Sequence, residues 1–154
     1  EGREQGMDGV AENRSRVDGW SASREGAIVC AAGRPGARFA GAGVRAAGMR
    51  QAILTDASVE RAQLAGAGMS NSFLYRANLT EADLRDAVLG DAELGEAVLE
   101  RADLRGADLR ESKLEGAVFT DAALENARLE GAVYTDDTLF PLGFDPAAAG
   151  MVRA

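Results

Sequence analysis

The chain has 154 residues and a formal net charge of −8, with 5% aromatic residues and no histidine. This length is typical of one domain, and so few aromatic side chains predict a narrow interior filled by small and aliphatic residues. The negative charge disfavours direct binding to nucleic acids or anionic lipids, and the lack of histidine removes the commonest general base and metal ligand.

Residues 1–36 form a polar segment with six acidic and five basic residues and only scattered apolar ones. This composition predicts a polar N-terminal tail that leads into a cap. Cys30 is the single cysteine, so an intrachain disulfide is excluded, and a buried or incidental thiol explains it more simply than a nucleophile does. No apolar run approaches the roughly 18 residues that a membrane span needs.

A five-residue repeat fills residues 37–139. A large apolar residue stands at every fifth position from Phe39 to Leu139, and alanine stands two places earlier at 18 of these 21 positions. A period of five fits neither an α-helix nor a flat strand, because the large residues would spiral around the first and alternate faces on the second. A corner once per block would point both residues inward. The central interior positions are then Leu79, Leu84, Leu89, Leu94, Leu99, Leu104, Leu109 and Leu114.

Residues 140–154 are predicted to form a C-terminal cap and tail. Stacked coils leave an open apolar cross-section that the terminal residues must cover. Phe140 and Phe144 are the candidate plug, while Pro141 and Pro146 lack the backbone N–H needed for further strand pairing.

Several blocks, such as Ala77–Leu79 and Ala82–Leu84, read A-N-L or A-D-L. These blocks resemble the signature of the pentapeptide-repeat family. The resemblance implies an all-β fold, a right-handed quadrilateral β-helix in which four blocks make one coil. The repeat would then form about five coils, roughly 25 Å long at the ~4.8 Å spacing of neighbouring strands.

On such a coil, residues 20 apart stack on one another, so the outward surface can be predicted. Opposite charges alternate along these columns, as expected for charges that stabilise stacking rather than build a strong field. The predicted columns are Arg61, Glu81, Arg101 and Asp121; Asp56, Arg76 and Glu96; Glu93 and Lys113; and Asp108 and Arg128.

Three outward apolar residues suggest a protein interface. Ile53 should stack on Phe73, with Tyr75 beside Phe73 on the same side, and exposed aromatic clusters often mark interfaces. The alternative interpretation is that the N-terminal segment, through Trp20, folds back over Phe73 and Tyr75.

The sequence therefore predicts a non-catalytic scaffold or protein-binding module whose partner is another protein. No catalytic, phosphate-binding or metal motif is present in the sequence, so no enzyme activity and no cofactor are expected. A monomer or weak dimer without direct nucleic-acid binding is expected. The compartment stays open: cytoplasm is favoured, with the thylakoid lumen as the alternative if Glu1 marks a processed N-terminus.

The resemblance also supplies an alternative function. Some family members are similar to B-form DNA in size and charge and bind DNA gyrase, a type II topoisomerase. The repeat region is acidic overall, and the neighbours Asp91 and Glu111 could begin an anionic strip. Asp83 and Asp103, however, lie beside Arg85 and Arg105, which cancels much of the local potential.

Overall fold

The computed structural model describes residues 36, 38, 40, 41, 43, 45, 46 and 48–154. Apart from Gly36, the tail and cap assigned to residues 1–36 lie outside the described residues, as do Trp20, Cys30 and the first large apolar residues, Phe39 and Val44.

The described chain winds into a four-sided coil that advances one level every 20 residues. Parallel bridges join Ile53 to Phe73, Phe73 to Glu93 and Glu93 to Lys113. At each level the backbone is bonded in both directions: the Phe73 N–H donates to the Ala52 carbonyl at 2.9 Å, and the Leu74 N–H donates to the Glu93 carbonyl at 2.7 Å. Each short side of the coil is therefore one rung of a parallel sheet.

A tight turn forms every corner between residues 49 and 132. In a representative corner, the Ala77 N–H donates to the Leu74 carbonyl at 3.0 Å, and Arg76, the third residue of the turn, has a φ of 56°. A positive φ at this place is the mark of a type II turn, which usually requires glycine or asparagine. Here arginine, aspartate and glutamate occupy many of the corners, because the N–H of the left-handed residue also bonds the next coil, as Arg76 does to the Gly95 carbonyl at 2.9 Å.

Two ladders of side chains fill the interior. Alanines occupy one ladder and leucines the other, and alanine is required because two backbones approach closely across the narrow coil. Burial of each leucine stabilises the coil by about 1.5–3 kcal/mol. Side chains that are at most 1% exposed include Leu79, Leu84, Leu89, Leu94, Leu99, Leu104, Leu109 and Leu114.

One extra residue breaks the phase of the repeat near its end. Leu139 pairs with Val118, 21 residues earlier, and its side chain is 51% exposed. The sequence-based expectation that Leu139 is the last interior residue is therefore wrong, and Phe140 turns inward instead. Thr138 takes the place of the small residue, where its hydroxyl donates to the Leu114 carbonyl at 3.0 Å and accepts the Thr135 N–H at 3.0 Å.

Aromatic rings close the C-terminal end of the coil. The ring of Phe140 stacks on Phe119 at 5.8 Å and on Phe144 at 5.0 Å, while Tyr134 meets it edge-on at 5.6 Å. The chain then returns to the coil as strand β2 (Val152–Arg153), which pairs in parallel with β1 (Val133–Tyr134).

Two serines replace alanine in the interior ladder, and they offer a matched test of its packing. Ser112 Oγ donates to the Leu109 carbonyl at 2.7 Å, whereas Ser72 Oγ is buried without a hydrogen-bond partner in the described structure. An unpaired buried hydroxyl costs about 1–3 kcal/mol. We expect Ser72→Ala to raise the melting temperature measured by circular dichroism and Ser112→Ala to give no such gain; equal effects of the two changes would contradict this account.

Candidate protein-binding surface

Ile53, Phe73 and Tyr75 form a contiguous apolar area, here called the aromatic surface. Ile53 and Phe73 are bridged neighbours on one side of the coil, and Tyr75 lies at the corner that follows Phe73. Their exposed fractions are 39%, 43% and 41%. The structure therefore brings together all three residues that the sequence indicated, on a rigid sheet side rather than on a loop.

The ring of Tyr75 is held in place before any partner binds. A Cβ at Gly95 would lie 3.1 Å from Tyr75 Cδ1, so the ring packs where this glycine leaves room. The Arg76 guanidinium lies 4.8 Å from the ring centroid, a cation–π distance. Glu96 hydrogen-bonds the phenol and so raises the pKa of Tyr75.

Asp56 fixes the guanidinium that covers Tyr75. Arg76 Nε donates to Asp56 Oδ1 at 2.8 Å, and Arg76 Nη2 donates to Asp56 Oδ2 at 3.0 Å. These hydrogen bonds raise the pKa of Arg76 and lower that of Asp56. The column Asp56, Arg76 and Glu96 was predicted to pair by charge alone; the stacking of Arg76 on Tyr75 was not predicted, although the two are adjacent in sequence.

An acidic cleft of about 460 Å³ adjoins the aromatic surface. Tyr75 forms one wall, and Gly95 and Gly116 open the floor by lacking side chains. Glu115 Oε2 is shielded from solvent and has no hydrogen-bond partner among the described residues. The charged lining residues, which define the acidic cleft, are Glu93, Glu96, Glu115, Asp137 and Lys113, with Lys113 Nζ 3.6 Å from Glu93.

A second, aliphatic column lies on the next side of the coil. Val98 pairs with Val118, and Val118 pairs with Leu139. The two valines are half-buried and carry no aromatic ring. The aromatic surface is therefore the stronger candidate for an interface, because aromatic side chains dominate binding energy at protein interfaces.

Ion pairs neutralise much of the charge on the other sides. Asp83 and Asp103 each accept two side-chain hydrogen bonds from the arginine two residues later, with Nε–Oδ1 distances of 2.8 Å to Arg85 and Arg105. Arg101 Nε reaches Glu81 Oε2 on the neighbouring coil at 3.1 Å. Alternating charges therefore meet both within a block and between coils.

Asp108 differs from its predicted pairing. It bridges Arg128 through the backbone, but its carboxylate binds Arg110 at 2.8 and 2.7 Å. The Arg110 N–H also donates to Asp108 Oδ1 at 3.1 Å, so the nearby arginine is the better-placed donor.

Two classes of site are not found in the part of the chain that the structure describes. No group of three or more aspartate, glutamate, cysteine or histidine side chains lies close enough to hold a metal ion. No described helix is long and apolar enough to cross a membrane.

The repeated block matches a known protein family. The model of pentapeptide repeats matches in eight copies, over residues 45–80, 77–116 and 97–133. This chain belongs to the pentapeptide-repeat family. Its four-sided coil is the right-handed quadrilateral β-helix of that family, as the sequence predicted.

Solved structures of other pentapeptide repeat proteins are similar to this chain. The protein alr5209 from Nostoc PCC 7120 is 36% identical, covering 70% of this chain and 84% of that one with a TM-score of 0.47. Rfr23 from the cyanobacterium Cyanothece 51142 is 24% identical, covers 84% of this chain and 97% of that one, and has a TM-score of 0.59. QnrB1, a plasmid-mediated fluoroquinolone resistance protein, is 20% identical with a TM-score of 0.41, covering 84% of this chain and 81% of that one. No curated protein matches the sequence.

The aspartate–arginine pairs predict how stability depends on pH. Hydrogen bonds from Arg85, Arg105 and Arg110 lower the pKa values of their aspartate partners. A carboxyl whose pKa is lowered by folding stabilises the folded state above its unfolded pKa of about 3.9, and this contribution is lost as the pH falls through the folded value.

We therefore expect the contribution of these pairs to be constant above about pH 5 and to disappear below about pH 4. The triple variant Asp83→Asn, Asp103→Asn, Asp108→Asn should lose less stability over that acid range than the parent does. Melting temperatures between pH 3 and 7 test this, and equal acid slopes for parent and variant would show that the pairs do not couple folding to pH.

Proposed function

We propose that this protein is a non-catalytic scaffold that binds another protein through its aromatic surface. Pentapeptide repeat proteins are generally structural or binding scaffolds. The observation that carries the proposal is the exposure of Ile53, Phe73 and Tyr75 together on one rigid side of the coil. Binding to this surface removes apolar area from water without any need to order the backbone first.

The order of Tyr75 supports the proposal. Its ring is fixed by Arg76, Glu96 and Gly95, so little side-chain entropy is lost when a partner covers it. Fixed aromatic side chains of this kind are common among the few residues that carry most of the binding energy. We expect the partner to be a protein rather than a nucleic acid, and the free protein to be a monomer or a weak dimer.

The double variant Phe73→Ser, Tyr75→Ser tests the proposal. Proteins from the source organism that bind the immobilised parent would be identified, purified and titrated by calorimetry. The double variant should bind the purified partner at least about tenfold more weakly, since loss of two aromatic anchors costs more than about 1.4 kcal/mol.

Val88→Ser is the matched control, because Val88 is 40% exposed and lies on a different side of the coil. Its affinity for the partner should equal that of the parent. Equal affinity of the parent and the double variant would refute the aromatic surface as the interface.

The second candidate function is modulation of DNA gyrase by mimicry of DNA. The observation in its favour is the corner column that contains Asp91 and Glu111, for which the described structure contains no salt bridge. Glu130 lies beside them along the same groove. An anionic strip is therefore present at this corner, whereas ion pairs neutralise the side that bears Asp83 and Asp103.

A gyrase supercoiling assay separates the two candidates. If the protein is a scaffold for another partner, micromolar protein neither inhibits supercoiling nor protects the enzyme from a fluoroquinolone. Inhibition or protection that is lost in Asp91→Asn, Glu111→Gln and retained in Phe73→Ser, Tyr75→Ser would establish mimicry instead.

A further inference from the structure

The described chain enters the coil at the corner next to the aromatic surface. The Gly36 N–H donates to the Thr55 carbonyl at 2.8 Å, and the Asp56 N–H donates to the Tyr75 carbonyl at 2.9 Å. Gly36, Thr55 and Tyr75 thus mark three successive levels of one corner. The 35 residues before Gly36 are tethered about two coil spacings, or roughly 10 Å, from the ring of Tyr75.

This tether is long enough to place its apolar residues on the aromatic surface. Sixteen residues separate Trp20 from Gly36 in number, and an extended chain spans about 3.3 Å per residue. The reach is therefore several times the distance needed. A tethered segment also acts at an effective concentration of about a millimolar, so weak contacts suffice for docking.

The composition of residues 14–24 is complementary to the surface beside the entry point. The segment contains Val17 and Trp20, flanked by Arg14, Arg16 and Arg24, with Asp18 as its single acidic residue. In contrast, residues 1–13 contain four acidic residues and one basic residue. The basic, apolar part of the N-terminal segment thus matches a surface that is aromatic on one side and acidic on the other.

The target surface offers both kinds of contact. Phe73 and Tyr75 present exposed rings, and the acidic cleft begins at the edge of Tyr75. Within the cleft, Glu115 Oε2 is shielded from solvent and has no donor among the described residues. A guanidinium is the natural donor for such a carboxylate, because it offers several N–H groups and a positive charge.

We propose that residues 14–24 dock on the aromatic surface of the same chain, with Trp20 against Phe73 and Tyr75 and with arginine side chains in the acidic cleft. A partner protein then has to displace this segment, so the segment regulates access to the interface. The displacement rests on the proposed function, whereas the docking itself does not.

Trp20 is the single tryptophan of the chain, so its fluorescence reports on docking directly. In the full chain, emission should be shifted to the blue, and acrylamide quenching should be weaker than in a free peptide of residues 14–24. In Phe73→Ser, Tyr75→Ser, emission should shift to the red and quenching should rise toward the peptide value. Val88→Ser should behave as the parent does.

Charge and folding are tested with the same signal. The variant Glu93→Gln, Glu96→Gln, Glu115→Gln should also increase quenching, because it removes the negative charge that attracts the arginines. Circular dichroism melts of each variant ensure that an altered fluorescence signal does not arise from unfolding; all substituted side chains lie outside the buried ladders.

Three outcomes would overturn the docking. The first is quenching in the parent equal to that of the free peptide. The second is a shielded Trp20 whose signal is unchanged in Phe73→Ser, Tyr75→Ser. The third is shielding that appears only as protein concentration and molar mass rise together, which would place the segment on a second copy of the chain.

Partner titration separates this inference from the proposed function. Trp20→Ser in the full chain should bind the purified partner about tenfold more tightly if the docked form occupies about nine-tenths of the molecules. An exposed Trp20 with unchanged partner binding refutes only the docking. A shielded Trp20, together with partner binding that ignores Phe73→Ser, Tyr75→Ser, refutes only the interface.

Discussion

Parallel hydrogen bonds between successive coils fix the position of every side chain on this rod. Each rung donates to the coil before it and the coil after it, as Phe73 and Leu74 do, and the corners join the same network through residues such as Arg76. Because these bonds repeat every 20 residues, the interior must repeat as well, and it admits only small and medium aliphatic residues. A strict interior leaves the outward side chains as the part of the sequence that is free to differ between relatives.

The aromatic surface shows how much this backbone contributes to binding. Phe73 is presented by the sheet itself, and Tyr75 is held by a guanidinium that Asp56 fixes from the coil before. The two rings and the acidic cleft are thus arranged by contacts that exist without a partner. A rod of this kind binds as a preformed surface, and regulation is more easily achieved by covering the surface than by reshaping it.

The sequence predicted the coil and the columns well because both follow from one period. Ile53 and Phe73 meet as expected, since residues 20 apart share a column. Side-chain choices within a column were less predictable: Asp108 binds Arg110 instead of Arg128 because the near arginine adds a backbone N–H. The change of phase at Leu139 was missed because one extra residue between two apolar positions leaves the spacing of the leucines intact up to that point.

That extra residue indicates which changes in length such a protein tolerates during evolution. Duplication of 20 residues would add a coil and keep each column in line, since bridged partners are 20 apart. Duplication of one five-residue block would keep the interior intact but turn all later columns by a quarter of a revolution, and between Ile53 and Phe73 it would divide the aromatic surface. A single inserted residue exchanges inside for outside, as at Leu139 and Phe140. Insertions of this last kind set the length of the rod, and they are compatible with folding only where a new end can be sealed.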